Sequence, residues 1–132
     1  MTEQTLIIVK PDAVKRNLVE QILSRFEKKG FTISKKKTLN FTKEMAKEFY
    51  SAHSAKPFFD ELVSFITSGE VVVAIIERDD AVSLTREIIG NTNPKEASSG
   101  TIRGDFGIII TENSIHASDS SESFDKEVNV VF

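Results

Sequence analysis

The chain has 132 residues, of which 39% are hydrophobic and 28% charged, and it carries a net charge of −3. These values are typical of one soluble globular domain, which we expect to span residues 1–132. The acidic pI of about 5.4 argues against a broad nucleic-acid surface, which is normally basic. The absence of cysteine excludes disulfides and thiol catalysis, and two histidines are too few for a histidine-rich metal site.

No part of the sequence predicts a membrane segment. The apolar runs fall well short of the ~20 residues that a helix needs to cross a bilayer. The apolar run at residues 6–9 is too short for a signal peptide and lacks a basic flank. We therefore expect a cytoplasmic protein with no membrane partner and no specific nucleic-acid partner.

The first predicted elements are a strand, a helix and a second strand. Residues 5–10 (TLIIVK) predict a buried strand, which Pro11 ends because proline cannot donate to a β-ladder. Apolar residues recur at helical spacing over residues 19–26, and Gly30 is a plausible helix stop. Residues 31–41 alternate apolar and polar side chains, which predicts a strand with one exposed face.

Two helices, a central strand and a further helix are predicted next. Apolar stripes at helical spacing cover residues 45–50, with Thr42 as a possible N-cap, and residues 58–66. Residues 71–76 (VVVAII) are apolar throughout, which indicates a strand buried on both faces. Residues 82–89 predict a helix, which a glycine follows.

The last part of the chain begins with a long polar segment. Residues 91–104 (NTNPKEASSGTIRG) show no periodicity, and loops of this length in compact domains are usually functional. Residues 105–111 (DFGIIIT) predict a strand, a short segment carrying His116 follows, and residues 120–128 predict a helix.

This order of elements predicts an α+β fold. Four strands with helices between them suggest a ferredoxin-like βαββαβ sandwich, in which helices pack on a four-stranded antiparallel sheet. The order of the strands within the sheet does not follow from the sequence pattern.

His116 is the first candidate for chemistry, because it follows an apolar strand pattern and polar residues surround it. A neutral imidazole is a competent nucleophile near neutral pH, although a single histidine is more often an ordinary surface residue. Glu127, eleven residues further on in the predicted last helix, could bond one ring nitrogen and free the other for attack. The spacing alone does not exclude a solvated helix glutamate.

Phosphate chemistry needs cations and hydrogen-bond donors, and several lie at element boundaries. Lys10, Arg86 and Arg103 are candidate phosphate ligands, and Thr92 offers a hydroxyl. Each of them taken alone is more often a surface side chain. Glycine-rich phosphate loops are absent from the sequence, so side chains would have to hold any nucleotide. Phe58 could stack on a base or join the core, and the pattern alone favours the core.

Three segments resemble the nucleoside diphosphate kinase family: IVKPDAVKR at 8–16, NPKEASSGTIRGDF at 93–106 and NSIHASDSSESFDKE at 113–127. The similarity extends over nearly the whole chain. It implies a ping-pong reaction in which a nucleoside triphosphate, typically ATP, phosphorylates a histidine that then phosphorylates a nucleoside diphosphate. It also implies Mg²⁺ bound mainly through the nucleotide phosphates, broad base and sugar tolerance, and a homo-oligomer, either a tetramer or a hexamer built from dimers.

The resemblance assigns catalytic roles to five residues. His116 matches the histidine that is phosphorylated on Nδ1, and Glu127 matches the glutamate that bonds the other ring nitrogen. Ser118 matches a serine beside that pair, and Tyr50 matches a tyrosine beside the histidine. Lys10 matches a lysine near the transferred phosphoryl group and the ribose.

The remaining roles concern nucleotide binding. Phe58 matches the phenylalanine that stacks on the base, and Asn113 matches the asparagine that contacts the sugar hydroxyl. Arg86, Thr92 and Arg103 match the ligands of the phosphates.

The sequence departs from the family pattern at Ala13, where glycine is common, and at Phe49, where histidine is common. The C-terminal sequence VNVVF stands where many relatives have a tryptophan. These departures bear on subunit assembly more than on chemistry.

Three other functions are compatible with parts of the sequence. A regulatory module with the same fold would be expected to lack some of the residues named above, and all of them are present. An RNA-binding domain of similar topology would need a basic surface and an aromatic strand motif. A histidine phosphocarrier would not need the sugar and base contacts.

Overall fold

The computed structural model describes residues 2–51, 55–57, 59–90, 97–106, 115–118 and 120–132. Four antiparallel strands form one sheet in the order β2-β3-β1-β4. The strands are β1 (Thr2–Val9), β2 (Thr32–Leu39), β3 (Val71–Asp79) and β4 (Ile115–Ala117). The helices are α1 (Pro11–Lys15), α2 (Val19–Lys28), α3 (Lys43–Phe49), α4 (Phe59–Ile66), α5 (Ala81–Ile89), α6 (Ile102–Phe106) and α7 (Ser121–Val131).

The central strands β1 and β3 divide the core into two layers. Successive side chains of a strand point to opposite faces of the sheet. Ile7 and Val9 therefore pack with α2 and α5, whereas Leu6 and Ile8 pack with α3, α4 and α7. All four side chains are fully buried, and burial of each stabilises the fold by roughly 1.5–3 kcal/mol.

Local signals in the sequence fix three of the helix ends. Thr42 Oγ1 accepts a hydrogen bond from the Met45 amide at 3.1 Å, which caps α3. Ser120 Oγ accepts from the Ser123 amide at 3.1 Å and caps α7 in the same way. After α2, the chain turns at Gly30, whose φ of +88° favours glycine. The predicted cap and helix stop are thus confirmed.

The predicted fold is confirmed, and so are the strands predicted at 5–10, 31–41 and 71–76. The short helix α1 was not predicted, although proline at the first helical position is a common start signal. None of the helices in the described part of the chain is long and apolar enough to span a membrane.

The strand predicted at 105–111 is wrong for Asp105 and Phe106, which belong to α6; residues 107–111 lie outside the described residues. The polar segment predicted at 91–104 likewise ends earlier, because α6 begins at Ile102. Thr101 Oγ1 accepts from the Gly104 amide at 3.1 Å, so a threonine cap starts a helical turn there. The fourth strand of the sheet is β4, which contains His116.

Candidate active site

His116 lies in the middle of β4, at the edge of the sheet. Its register partner is Ile8 in the central strand β1, and the Ser118 amide donates to the Leu6 carbonyl at 3.0 Å. Ile115 and Ala117 are buried in the layer that contains α2 and α5. Alternation along the strand therefore directs His116 to the opposite face, where α3 and α7 lie.

The carboxylate of Glu127 in α7 holds the imidazole of His116. Nε2 of His116 lies 3.0 Å from Oε1 of Glu127, and Ser118 Oγ donates to the same oxygen at 2.7 Å. The two side chains of the pair are only 22% and 13% exposed. A carboxylate only accepts hydrogen bonds, so the proton of a neutral imidazole resides on Nε2. Nδ1 is then the nitrogen with a free lone pair.

Two aromatic residues at the end of α3 pack beside His116. The Phe49 ring meets the imidazole edge-on, with ring centroids 5.1 Å apart and planes at 69°. Tyr50 packs against Phe49 at 5.1 Å and is buried. Burial raises the pKa of the Tyr50 hydroxyl, and the nearby Glu127 raises it further, so this hydroxyl stays protonated.

Lys10 and Arg103 are buried cations near the end of β1. The pKa of Lys10 is lowered to about 7, mainly because the side chain is buried and also because Arg103 is close, while Asp12 acts in the opposite direction. The pKa of Arg103 is lowered to about 10, mainly by burial and to a smaller extent by the charge of Arg86. The charge of Arg103 thus acts on Lys10, and the charge of Arg86 acts on Arg103.

Arg103 is tied directly to the strand that carries His116. Its Nη2 donates to the Ile115 carbonyl at 2.9 Å, and its Nη1 lies 3.3 Å from the Gly90 carbonyl. Within the described residues, its Nε is buried and has no hydrogen-bond partner. A buried guanidinium with unused donor capacity favours an anionic ligand.

The structure therefore brings together His116, Glu127, Ser118, Tyr50 and the two buried cations, while Arg86 lies exposed on α5. Phe58, Thr92 and Asn113 lie outside the described residues, so their predicted roles are not tested. Sequence analysis related Phe49 to subunit assembly rather than to chemistry, and helical spacing in α3 did not predict that its ring would contact His116.

The described part of the site was compared with the ligand sets that metal ions require. Among the described residues, no group of three or more His, Asp or Glu side chains could hold a metal ion. The guanidinium of Arg103, which bonds the backbone carbonyl next to His116, suits the oxygens of a phosphate rather than a metal ion.

The fold and the site define a ferredoxin-like α+β protein with a histidine fixed by a carboxylate and close to buried cations. Residues 3–132 match the sequence model of the family described as nucleoside diphosphate kinase. Nucleoside diphosphate kinase of Methanosphaera stadtmanae is 52% identical over 132 residues, which cover 100% of this chain and 87% of that protein. The enzyme of Staphylothermus marinus is 50% identical, with coverage of 99% and 93%.

Solved structures agree with this assignment. The Aquifex aeolicus nucleoside diphosphate kinase superimposes with a TM-score of 0.97 and 47% identity, covering 100% of this chain and 96% of that one. A halophilic nucleoside diphosphate kinase of Halobacterium salinarum, solved in complex with CDP, gives a TM-score of 0.96 and 41% identity, with coverage of 100% and 88%. The chain belongs to the nucleoside diphosphate kinase family.

Proposed function

We propose that the protein transfers the γ-phosphoryl group of a nucleoside triphosphate, typically ATP, to a nucleoside diphosphate through phosphorylated His116. The lone pair of Nδ1 forms a bond to the γ-phosphorus, and the bond from that phosphorus to the β,γ-bridging oxygen breaks. The first diphosphate then leaves with that oxygen. A second diphosphate attacks the phosphohistidine, which restores the free imidazole.

The observation that carries this proposal is the contact between Nε2 of His116 and Glu127. It leaves Nδ1 as the nucleophile and places a negative charge where the imidazole becomes more positive during attack. Ser118 fixes the carboxylate through its own hydrogen bond. This is the orienting role that a third residue plays in nucleophilic catalysis.

The three cations supply the charge that phosphoryl transfer requires. The transition state spreads negative charge over the phosphoryl oxygens, and catalysis consists mainly of positioning and electrostatic stabilisation. Arg103 is held 2.9 Å from the backbone beside His116, while Lys10 is buried next to it. Their desolvation strengthens their interaction with an incoming phosphate.

Nucleotide recognition is proposed from the resemblance. Phe58 would stack on the base, Thr92 would bind phosphate and Asn113 would contact the sugar. Stacking does not read the hydrogen-bonding edge of a base, which would permit purines and pyrimidines alike. Mg²⁺ would enter on the nucleotide phosphates, because the cationic side chains at the site suit phosphate oxygens.

The decisive experiment uses γ-labelled ATP with Mg²⁺ and no acceptor. We expect acid-labile, base-stable label on the wild type, no label on His116→Ala, and normal label on His53→Ala, which changes the only other histidine. Unlabelled GDP should then remove the label as GTP. A folded wild type that takes no label would favour a regulatory module. Label that GDP cannot remove would favour a phosphocarrier.

The assembly and the location are proposed on the same basis. A homo-oligomer built from dimers should sediment as a tetramer or a hexamer, and fractionation should place it in the cytoplasm. A monomer at micromolar concentration would contradict the proposed assembly without affecting the chemistry.

A further inference from the structure

The helix that carries Arg103 is held in place by an arginine from a distant part of the chain. Arg25, in the last turn of α2, forms an ion pair with Asp105 in α6, with Nη2 and Oδ2 2.8 Å apart. Its Nη1 lies 3.3 Å from the Gly100 carbonyl. Its guanidinium also lies over the Phe106 ring, 4.6 Å from the centroid. One side chain thus contacts both the approach to α6 and its C-terminal end.

Asp105 bonds both Arg25 and Gly100, which also contact each other. Its Oδ1 accepts from the Gly100 amide at 3.0 Å, while Oδ2 faces Arg25. The Gly100 amide and the Arg25 guanidinium hold the pKa of this carboxyl below its ordinary value, so the carboxylate is charged at neutral pH. Arg103 is thus buried, whereas Asp105, two residues further along α6, pairs with Arg25 at the surface.

A helix as short as α6 depends on such external contacts. Five residues cannot form a stable helix alone, because nucleation is costly and few hydrogen bonds repay it. Thr101 caps the first turn, and Arg25 holds the last. Arg16 also donates to the Phe106 carbonyl at the end of α6. Arg103 lies between these supports, so its place beside the Ile115 and Gly90 carbonyls, which hold its guanidinium, depends on how α6 is held.

We propose that Arg25 is a positioning residue for phosphoryl transfer, which acts by holding α6 so that Arg103 faces the phosphate of the bound nucleotide. This inference rests on the proposed function, in which Arg103 is a phosphate ligand. Arg25 itself remains outside the site.

A positioning role of Arg25 predicts a small effect on stability and a larger effect on nucleotide binding. The side chains of Arg25 and Asp105 are 28% and 29% exposed, and ion pairs that solvent reaches contribute little to stability. Loss of the pair should therefore change the melting temperature only slightly. If the guanidinium of Arg103 were no longer held in one orientation, in contrast, each of its contacts with a phosphate would weaken.

The experiment compares Arg25→Met with Arg78→Met. Arg78 is a matched control, because it also lies over a phenylalanine ring, Phe31, at 6.0 Å, but it belongs to β3 and does not contact α6. We expect Arg25→Met to weaken ADP binding and to lower kcat/KM by about tenfold, which is within the usual range for coupled neighbours. Arg25→Lys should restore part of the loss, and Arg78→Met should match the wild type.

A double-mutant cycle with Arg103→Met tests whether Arg25 acts through Arg103. If it does, Arg25→Met should cause no further loss of ADP affinity once Arg103 is changed. Fully additive losses would overturn the inference, as would wild-type ADP affinity in a folded Arg25→Met protein. If that variant fails to fold, Asp105→Asn replaces it in the same cycle, because it removes the charge that Arg25 contacts.

The outcomes also separate this inference from the proposed function. A wild type without phosphohistidine would overturn both. An active wild type that is impaired by Arg103→Met but unaffected by Arg25→Met would leave the proposed function intact and overturn only the role of Arg25.

Discussion

Nε2 of His116 and Oε1 of Glu127 lie 3.0 Å apart, although one residue belongs to the edge strand β4 and the other to the C-terminal helix α7. The contact determines which imidazole nitrogen is free. It also requires that β4 and α7 keep their relative position, which the Ser118 hydroxyl supports by donating to the same carboxylate oxygen at 2.7 Å.

Glu127→Gln should lower kcat by roughly 10²-fold, the scale of losing one oriented electrostatic partner at a reacting group. A neutral amide can no longer offset the positive charge that develops on the imidazole, and it can bind the wrong tautomer. Single-turnover phosphorylation by ATP measures this step directly. Glu122→Gln, an exposed change in the same helix, is the control. A variant with wild-type kcat would contradict the orienting role of Glu127.

Gly104→Ala should weaken nucleotide binding and destabilise the fold by ~1–3 kcal/mol, as overpacking does. A Cβ at this position would collide with the Ser98 carbonyl oxygen and come within 2.8 Å of Thr101 Oγ1. The change would therefore disturb the cap of α6 and displace Arg103. Urea unfolding and ADP titration measure the two effects. Ser99→Ala, an exposed neighbour, should change neither, and an unaffected Gly104→Ala would contradict the close packing.

Binding of ADP above pH 7 should be coupled to proton uptake. Burial lowers the pKa of Lys10 to about 7, so much of the free protein has a neutral lysine at pH 8. A bound phosphate favours the charged form and raises this pKa. Affinity should therefore fall as pH rises from 7 to 9, by at most a factor of about ten per pH unit.

Calorimetry at pH 8 in buffers with different ionisation enthalpies measures that proton uptake, because the terminal phosphate of ADP, with a pKa near 6, is already ionised there. Lys10→Met should abolish the uptake, whereas Lys43→Met, a change at the exposed start of α3, should preserve it. ADP binding without proton uptake at pH 8 would show that Lys10 is already charged in the free protein.

Thr42→Ala should cost about 1 kcal/mol of stability, because it removes the side chain that caps α3. This corresponds to a fall in Tm of roughly 3–5 °C. Activity at 25 °C should change less than twofold, since Phe49 and Tyr50 lie at the far end of the helix. Thr42→Ser retains the hydroxyl and should keep the wild-type Tm. Equal losses in both variants would show that the methyl group, rather than the cap, stabilises this helix.

The local sequence accounts for most of the fold. The apolar run at 71–76, the cap at Thr42 and the stop at Gly30 each act through neighbouring residues, so they could be identified from the sequence. The prediction failed at Asp105 and Phe106, because the apolar run that follows them predicted a strand. The cap at Thr101 and the ion pair with Arg25 instead favour a helical turn, and the second of these comes from a distant part of the chain.

The sequence by itself determined the residue types of the site, since the motifs around Lys10, Arg103 and His116 lie in contiguous segments that resemble one family. Only the tertiary structure decided how they meet. The pairing of His116 with Ile8 turns the imidazole toward α7, and the packing of α7 on the sheet brings Glu127 to Nε2. Burial of Lys10 and Arg103 also lowers their pKa values, because desolvation depends on every element packed around a side chain and not on its neighbours in the chain.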